Sequence, residues 1–463
     1  MTDRTMSLLS RRHALKLAGG CAAMSAAPVI STLTGLRATN AAWAANPTPD
    51  NDYKALVCIY LFGGNDSFNM LVPLEDGEHG DYQQVRGNLA LNKDDLLPIS
   101  DQSGRKFGLH PSMPDIQSLY NDGDAAFVAN IGTLVRPTSK ADFNQGLHLP
   151  KGLFSHPDQT RHWQTSVPQT RAERSGWAGR MADILNDAVN DNPAIGMNIA
   201  IDQMNLLQTG RQLLPYVVRP QRLAGYDKQK PFSKIYTSVT DQLLARSYGN
   251  AMEQQYANLK RSAIDAASNY SAAVDSVQLQ TQFPSTQLGG QLQLAAETIA
   301  ARDSLNHKRQ VFFALVGGWD FHDEVINAQA SLLREVNDAI ASFQTAMGEL
   351  GTTDCVATFT ASDFGRTLTS NGNGTDHAWG GNVFTVGGAL NGGNIFGDYP
   401  SSLLDDALDI GRRRLLPTTS VDEYSAELAM WFGIENDNNL EAILPNIRTF
   451  YAQGSSTGPL GLF

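Results

Sequence analysis

"TASDFGRTLTSNGNGTDHAWGG", residues 360–381, sets an Asp and an Arg directly after strand-like sequence and closes a Gly/Asn-rich loop on Asp-His. The residues before it, CVATF (355–359), are β-branched and aromatic and read as a buried strand. Asp363 then stands just past the carboxyl end of that strand, where open α/β sheets bind ligands. Two further stretches repeat the pattern. KALVCIYLFGGND (54–66) is a continuous apolar run that reaches Gly-Gly and then Asp66. RQVFFALVGGWDFHDE (309–324) does the same and reaches Asp320 and His322. Runs without polar alternation suggest strands covered on both faces, as in a parallel sheet.

The rest of the chain alternates in kind. AAFVANIGTLV (125–135) and NVFTVGGAL (382–390) read as strands. Residues 112–124, 155–166, 175–189, roughly 325–350 and 418–434 read as helices, with Ser155 and Ser175 at N-cap positions. Residues 136–154 read as a polar loop, and residues 232–305 as a helical insertion or cap. The fold class is therefore α/β, with a mainly parallel central sheet and helices on both faces.

The net charge of −12 argues against a nucleic-acid footprint, so no nucleic-acid partner is expected. No run of eighteen apolar residues follows the N-terminal segment, so no membrane span is expected. That segment carries paired arginines, Arg11 and Arg12, a weakly apolar stretch, and Ala42-Trp43-Ala44. It reads as a twin-arginine (Tat) signal peptide over residues 1–44, recognised by the Tat export machinery, with a single domain over 45–463. The expected location is periplasmic or secreted. Cys58 and Cys355 both fall in strand-like sequence, and whether they pair depends on whether those strands are neighbours.

A parallel sheet brings Asp66, Asp320 and Asp363 to one edge. Carboxylates gathered there repel one another, and a bound cation relieves that. His322 and His377 can join them, as can Glu324. Mixed Asp and His suit Zn²⁺ or Mn²⁺, and oxygen-dominated sets suit Mg²⁺ or Ca²⁺. Three Asp and two His could hold two ions. Arg366 could meet an anionic substrate. Ser155, at a helix start where the dipole favours an anion, is a candidate nucleophile, and its neighbour His156 joins the catalytic set. Plainer roles stay open: a turn for Asp66, a loop hydrogen bond for His322, a cap for Ser155, a salt bridge for Arg366.

The segments LFGGNDSFNMLVPL, LHPSMPDIQSLY, FSHPDQTRHWQT, GGWDFHDE, the 360–381 stretch with its continuation, and GRRRLLPTTSVDEYSAELAMWFG closely resemble domain of unknown function 1501. That group is similar to the alkaline phosphatase and sulfatase superfamily. The resemblance covers roughly residues 53–450. It implies an alkaline-phosphatase-like three-layer sandwich with a two-metal site at the strand ends. It implies Asp66, Asp320, His322, Asp363 and His377 as metal ligands and Ser155 as nucleophile. The chain departs from the superfamily at Phe364, where a His ligand is expected, and at His322, two residues past Asp320 where four is common. The expected function is that of a metal-dependent hydrolase of small-molecule or polymer-borne phosphate or sulfate esters. The alternative is a non-catalytic binding or assembly protein on the same fold.

Replacing Arg11 and Arg12 together by Lys should leave the precursor in the cytoplasm, because the export receptor reads the arginine pair. Cell fractionation checks this, and normal periplasmic accumulation of the double variant contradicts it.

Overall fold

The computed structural model describes residues 53–219, 231–455 and 457–463. The proposed signal peptide, with Arg11, Arg12 and the cleavage point after Ala44, lies outside the described residues. By their contacts the residues divide into a large unit, Thr48–Gly225 with Ala266–Phe463, and a smaller one that includes Tyr226–Asp265.

The large unit is built on a nine-stranded sheet. Its strands are β1 (Lys54–Leu61), β5 (Ala125–Gly132), β6 (Asn198–Ile201), β7 (Tyr216–Val218), β8 (Arg309–Val316), β9 (Val356–Ser362), β10 (Gly381–Gly387), β11 (Asn394–Gly397) and β12 (Thr419–Ser420). Short strands β2 (Leu71–Pro73), β3 (Leu97–Ser100) and β4 (Lys106–Leu109) form a separate three-stranded sheet. The order is β11-β5-β10-β9-β1-β8-β6-β7, with β12 beside β5. Every pairing is parallel except those of β10 with β5 and β9. The mainly parallel sheet expected from the apolar runs is present.

The two faces of β1 show why its sequence lacks polar alternation. Ala55, Val57, Ile59 and Leu61 face one core, shared with helices Pro114–Asp122, Gln287–Ala300 and Val325–Glu349. Leu56, Cys58 and Tyr60 face a second core, shared with helices Trp177–Val189, Val421–Phe432 and Asn438–Ile443. This gives three layers, helix–sheet–helix. Each fully buried Val, Leu, Ile or Phe contributes about 1.5–3 kcal/mol, so a strand buried on both faces anchors the molecule.

Several local expectations change. Ser175 is not the cap: its hydroxyl donates to the Glu173 carboxylate at 2.6 Å, and Gly176 is the N-cap residue of helix Trp177–Val189. The 136–154 loop contains a short helix, Lys140–Asn144, closed by a Ser139/Asp142 capping box. Cys355 precedes β9 in a 3-10 turn, Thr353–Cys355, and forms no disulfide with Cys58. Within 232–305, helix Gln287–Ala300 packs Leu288, Leu292, Ala295 and Ile299 into the main core. The smaller unit contains helix Pro231–Leu244 and the start of helix Ala251–Asp275, with an Arg261–Asp241 ion pair at 3.2 Å. Among the described residues no helix is long and apolar enough to cross a membrane.

His110 is buried, and its Nδ1 accepts from the Ser112 N–H at 3.1 Å. Burial, with Arg334 adding to it, pushes the imidazole down from 6.5 to about 4. Between those values the unfolded chain binds the extra proton and the folded one does not, so stability falls as pH drops through that window. His110→Asn should flatten the fall in unfolding free energy over the same window. Equal pH slopes in wild type and variant contradict this.

Candidate metal centre at the carboxyl edge of the sheet

Strands β9, β1 and β8 are adjacent and parallel, so their carboxyl ends open onto one edge. β9 delivers Asp363, β1 delivers the 62–66 turn, and β8 delivers Asp320 to His322. The 360–381 segment folds back on itself. Gly365 N–H donates to the Trp379 carbonyl at 3.0 Å, and Thr367 N–H donates to the Asp376 carbonyl at 2.9 Å. Arg366 and His377 therefore face each other across an antiparallel bridge. The loop also lies flat on the 320–322 backbone, and a Cβ at Gly374 would stand 2.3 Å from the His322 carbonyl carbon. Its glycines permit close approach, which answers why the loop is so rich in them.

Three imidazoles converge here. His377 Nε2 lies 3.0 Å from His156 Nε2 and 2.9 Å from His322 Nε2. Asp320 completes the group, its oxygens 3.4, 3.1 and 3.4 Å from Nε2 of His156, His322 and His377. The opposite nitrogen of each ring is anchored. His156 Nδ1 meets Asp363 Oδ2 at 2.7 Å, His377 Nδ1 meets the Phe154 carbonyl at 2.8 Å, and His322 Nδ1 meets Asp376 Oδ1 at 3.3 Å. Those acceptors assign the ring proton to Nδ1 in each case. The Nε2 lone pair of His377 then meets those of both His156 and His322, and His156, Asp320 and His377 form the group whose ligand atoms all lie within 4.8 Å of one another. Phe154 reaches its position with φ at 73°, a left-handed conformation that costs a bulky residue about 1–3 kcal/mol.

The electrostatics agree with this arrangement. The Asp363 hydrogen bond raises the basicity of His156 against the effect of burial. Burial lowers that of His377. Burial opposes ionisation of Asp320, but the Arg366 guanidinium outweighs it and holds the carboxyl below its usual range, helped by His156 and His322. Burial likewise opposes ionisation of Asp376, and Asn371, Arg412 and His322 together outweigh it. With neutral imidazoles, the three carboxylates Asp320, Asp363 and Asp376 face the two guanidiniums Arg366 and Arg412, leaving one net negative charge. Three lone pairs, a carboxylate and a net negative charge fit a divalent cation.

The expected site residues divide. Asp320, His322, His377 and His156 come together, and Asp363 stands behind His156 with its Oδ1 buried and without a hydrogen-bond partner. Asp66 is fully buried and is engaged by Arg86 at 2.5 Å, while Arg86 also donates to the Thr367 and Leu368 carbonyls at 3.2 Å. Arg366 is buried too, its nitrogens bound to Asp320, Thr375 and the Gly63 carbonyl, so it positions Asp320 and does not face solvent. Ser155 is the N-cap residue of helix His156–Thr165 but accepts no capping hydrogen bond. Glu324 accepts from Asn373 at 3.2 Å. Phe364 packs its ring 4.8 Å from that of His156 and 4.7 Å from that of His377, against a Gly64 whose Cβ would meet it at 2.6 Å. Sequence reasoning missed Asp376, Arg86 and the Phe154 carbonyl. Asp376 adjoins His377 and was open to inspection; the other two carry no local motif.

Fold and centre together define a three-layer α/β protein with a cation-ready His/Asp cluster at the carboxyl edge of its sheet. The chain belongs to the DUF1501 family, described as a protein of unknown function, whose model matches residues 53–430. A search of the curated proteins finds no match. Among solved structures, the chain is similar to the PsFucS1 sulfatase from Pseudoalteromonas sp., with 11% identity, 80% of this chain and 68% of that one covered, and a TM-score of 0.31. It is similar to the soluble domain of lipooligosaccharide phosphoethanolamine transferase A from Neisseria meningitidis, with 7% identity, 87% and 95% covered, and a TM-score of 0.33. It is also similar to the phosphonate monoester hydrolase SpPMH from Silicibacter pomeroyi, with 11% identity, 83% and 74% covered, and a TM-score of 0.34.

Arg86→Leu should destabilise the fold by about 3–5 kcal/mol, because it strands the buried Asp66 carboxylate. Adding Asp66→Asn should recover much of the loss. Denaturant unfolding of the single and double variants checks this, and additive losses contradict it.

Proposed function

We propose that the protein is an exported, metal-dependent hydrolase of phosphate or sulfate esters that works with a single divalent ion. The observation that carries this reading is the convergence of His156, His322 and His377 Nε2 on Asp320, each ring anchored through Nδ1. His156, His322, His377 and Asp320 would hold the ion. Three nitrogens and one oxygen suit Zn²⁺ best. When bound, the ion would supply Lewis acidity toward an ester oxygen.

The chain's own residues do the rest. Asp363 keeps the proton on His156 Nδ1, and Asp376 does the same for His322. Such acceptors fix ring orientation and raise ligand basicity. Arg366 holds Asp320 ionised. Phe364 excludes water from beneath the imidazoles. Ser155, beside His156 at the helix start, is the nucleophile in this reading. A second reading, a binding protein on the same fold, is favoured by one observation: Arg86 neutralises Asp66, which a second ion would otherwise do.

The purified mature protein should bind about one zinc per chain, and chelation should lower its melting temperature. Asp363→Asn should weaken zinc binding about 10- to 100-fold. Ser155→Ala should keep the metal but lose turnover of aryl phosphate or sulfate esters. Elemental analysis, competition with a chelating dye and ester assays with Zn²⁺, Mn²⁺, Mg²⁺ and Ca²⁺ check these. A metal-loaded protein that cleaves neither ester class supports the binding reading. A protein that takes up no metal contradicts both the ion site and the hydrolase.

A further inference from the structure

A cavity of about 280 Å³ opens on the same sheet edge, lined in part by Phe62, Arg161, Gln164, Met204, Phe313 and Leu315. Two of its lining residues adjoin residues of the metal centre in sequence. Pro157, also in its lining, follows His156, and Phe62 precedes Gly63, whose carbonyl accepts from Arg366. The Phe62 backbone is fixed between two strand ends: its N–H donates to the Val316 carbonyl at 2.8 Å, and its carbonyl accepts from Trp319 at 3.3 Å. Its ring is nevertheless 41% exposed, and Met204 is 56% exposed. Two large apolar side chains thus stand open at the cavity, one of them on a fixed backbone.

The polar lining has one sign. Among the described residues no carboxylate lines the cavity, although the chain carries 47 acidic residues against 35 basic ones. Arg161 makes no ion pair among the described residues; its Nη1 donates to the Glu173 carbonyl at 3.1 Å. Gln164 is 6% exposed, and its Oε1 accepts from the Leu206 and Leu207 N–H groups, both at 2.9 Å. That fixes the side chain and leaves its amide NH₂ as a donor. A guanidinium and an aligned amide, with no acid to compete, select an anion, since hydrogen bonds to a charged group are the stronger kind.

We infer that this cavity is the subsite for the non-reacting part of the substrate: a ring that carries its own carboxylate, sulfate or phosphate. The ring lies against Phe62 and Met204, and its anionic group meets Arg161 and Gln164. The inference rests on the hydrolase reading for the word substrate, but the binding site stands on its own residues. It narrows the esters to those with a second negative charge on the leaving group or on the neighbouring unit of a polymer.

The test is calorimetric, on the mature protein with metal removed by chelation, so that it is independent of turnover. Benzenesulfonate and benzyl alcohol are the probes. Benzenesulfonate should bind wild type, and Arg161→Gln should weaken that binding about 10- to 100-fold. Arg161→Lys, which keeps the charge, should recover part of it. Benzyl alcohol should bind no more weakly to Arg161→Gln than to wild type. His377→Ala should retain benzenesulfonate binding, which separates the cavity from the imidazole cluster. Melting curves establish that each variant is folded. Equal benzenesulfonate affinity in wild type and Arg161→Gln, or loss only in His377→Ala, overturns the inference. If the protein proves to be a hydrolase, Arg161→Gln should also lower kcat/KM for 4-carboxyphenyl phosphate about tenfold relative to phenyl phosphate.

Discussion

Mutual repulsion among three imidazole lone pairs is the constraint on which the rest of the site depends. His156 and His322 each come within 3.0 Å of His377, and the acceptors behind the rings commit their protons to the far side. A bound cation would relieve that repulsion. The fold pays for holding them there: Asp363 is buried with one oxygen unsatisfied, and Phe154 keeps a left-handed backbone to offer its carbonyl. Such costs persist where the surrounding structure fixes them, and they gather at functional sites.

The same edge also bears on how many ions the proposed site would hold. Asp66 would be an obvious ligand for a second, yet Arg86 is buried against it as a built-in cation. Phe364, where the resemblance implies a His, packs its ring against two of the imidazoles. The guanidinium on Asp66 and the phenyl ring beside the imidazoles are why the proposed site is read as holding one ion. Arg366, bound to Asp320 and to the loop that carries His377, ties the two halves of the remaining centre together.

Much of the fold was legible because its signal is local. The apolar runs of β1 and β8 lack polar alternation, since alternate residues enter two different cores. The strand ends marked by Gly and Asp do open onto one edge of the sheet. Roles within the site were less legible. Whether an Asp binds a metal, orients a His or pairs with an Arg depends on what stands across from it. Arg86 lies 20 residues from Asp66, and Asp363 lies 207 from His156. No spacing rule reports such pairs. Main-chain acceptors such as the Phe154 carbonyl leave no trace in residue identity at all. The Ser175 expectation failed for a related reason, since Glu173 competes for its hydroxyl.

The most direct measurement is anomalous diffraction at the zinc absorption edge from crystals grown with zinc. The account predicts one anomalous peak, bounded by Nε2 of His156, His322 and His377 and by the Asp320 carboxylate, with Arg86 still on Asp66. Two peaks with one at Asp66, or none at the imidazole cluster, would contradict it.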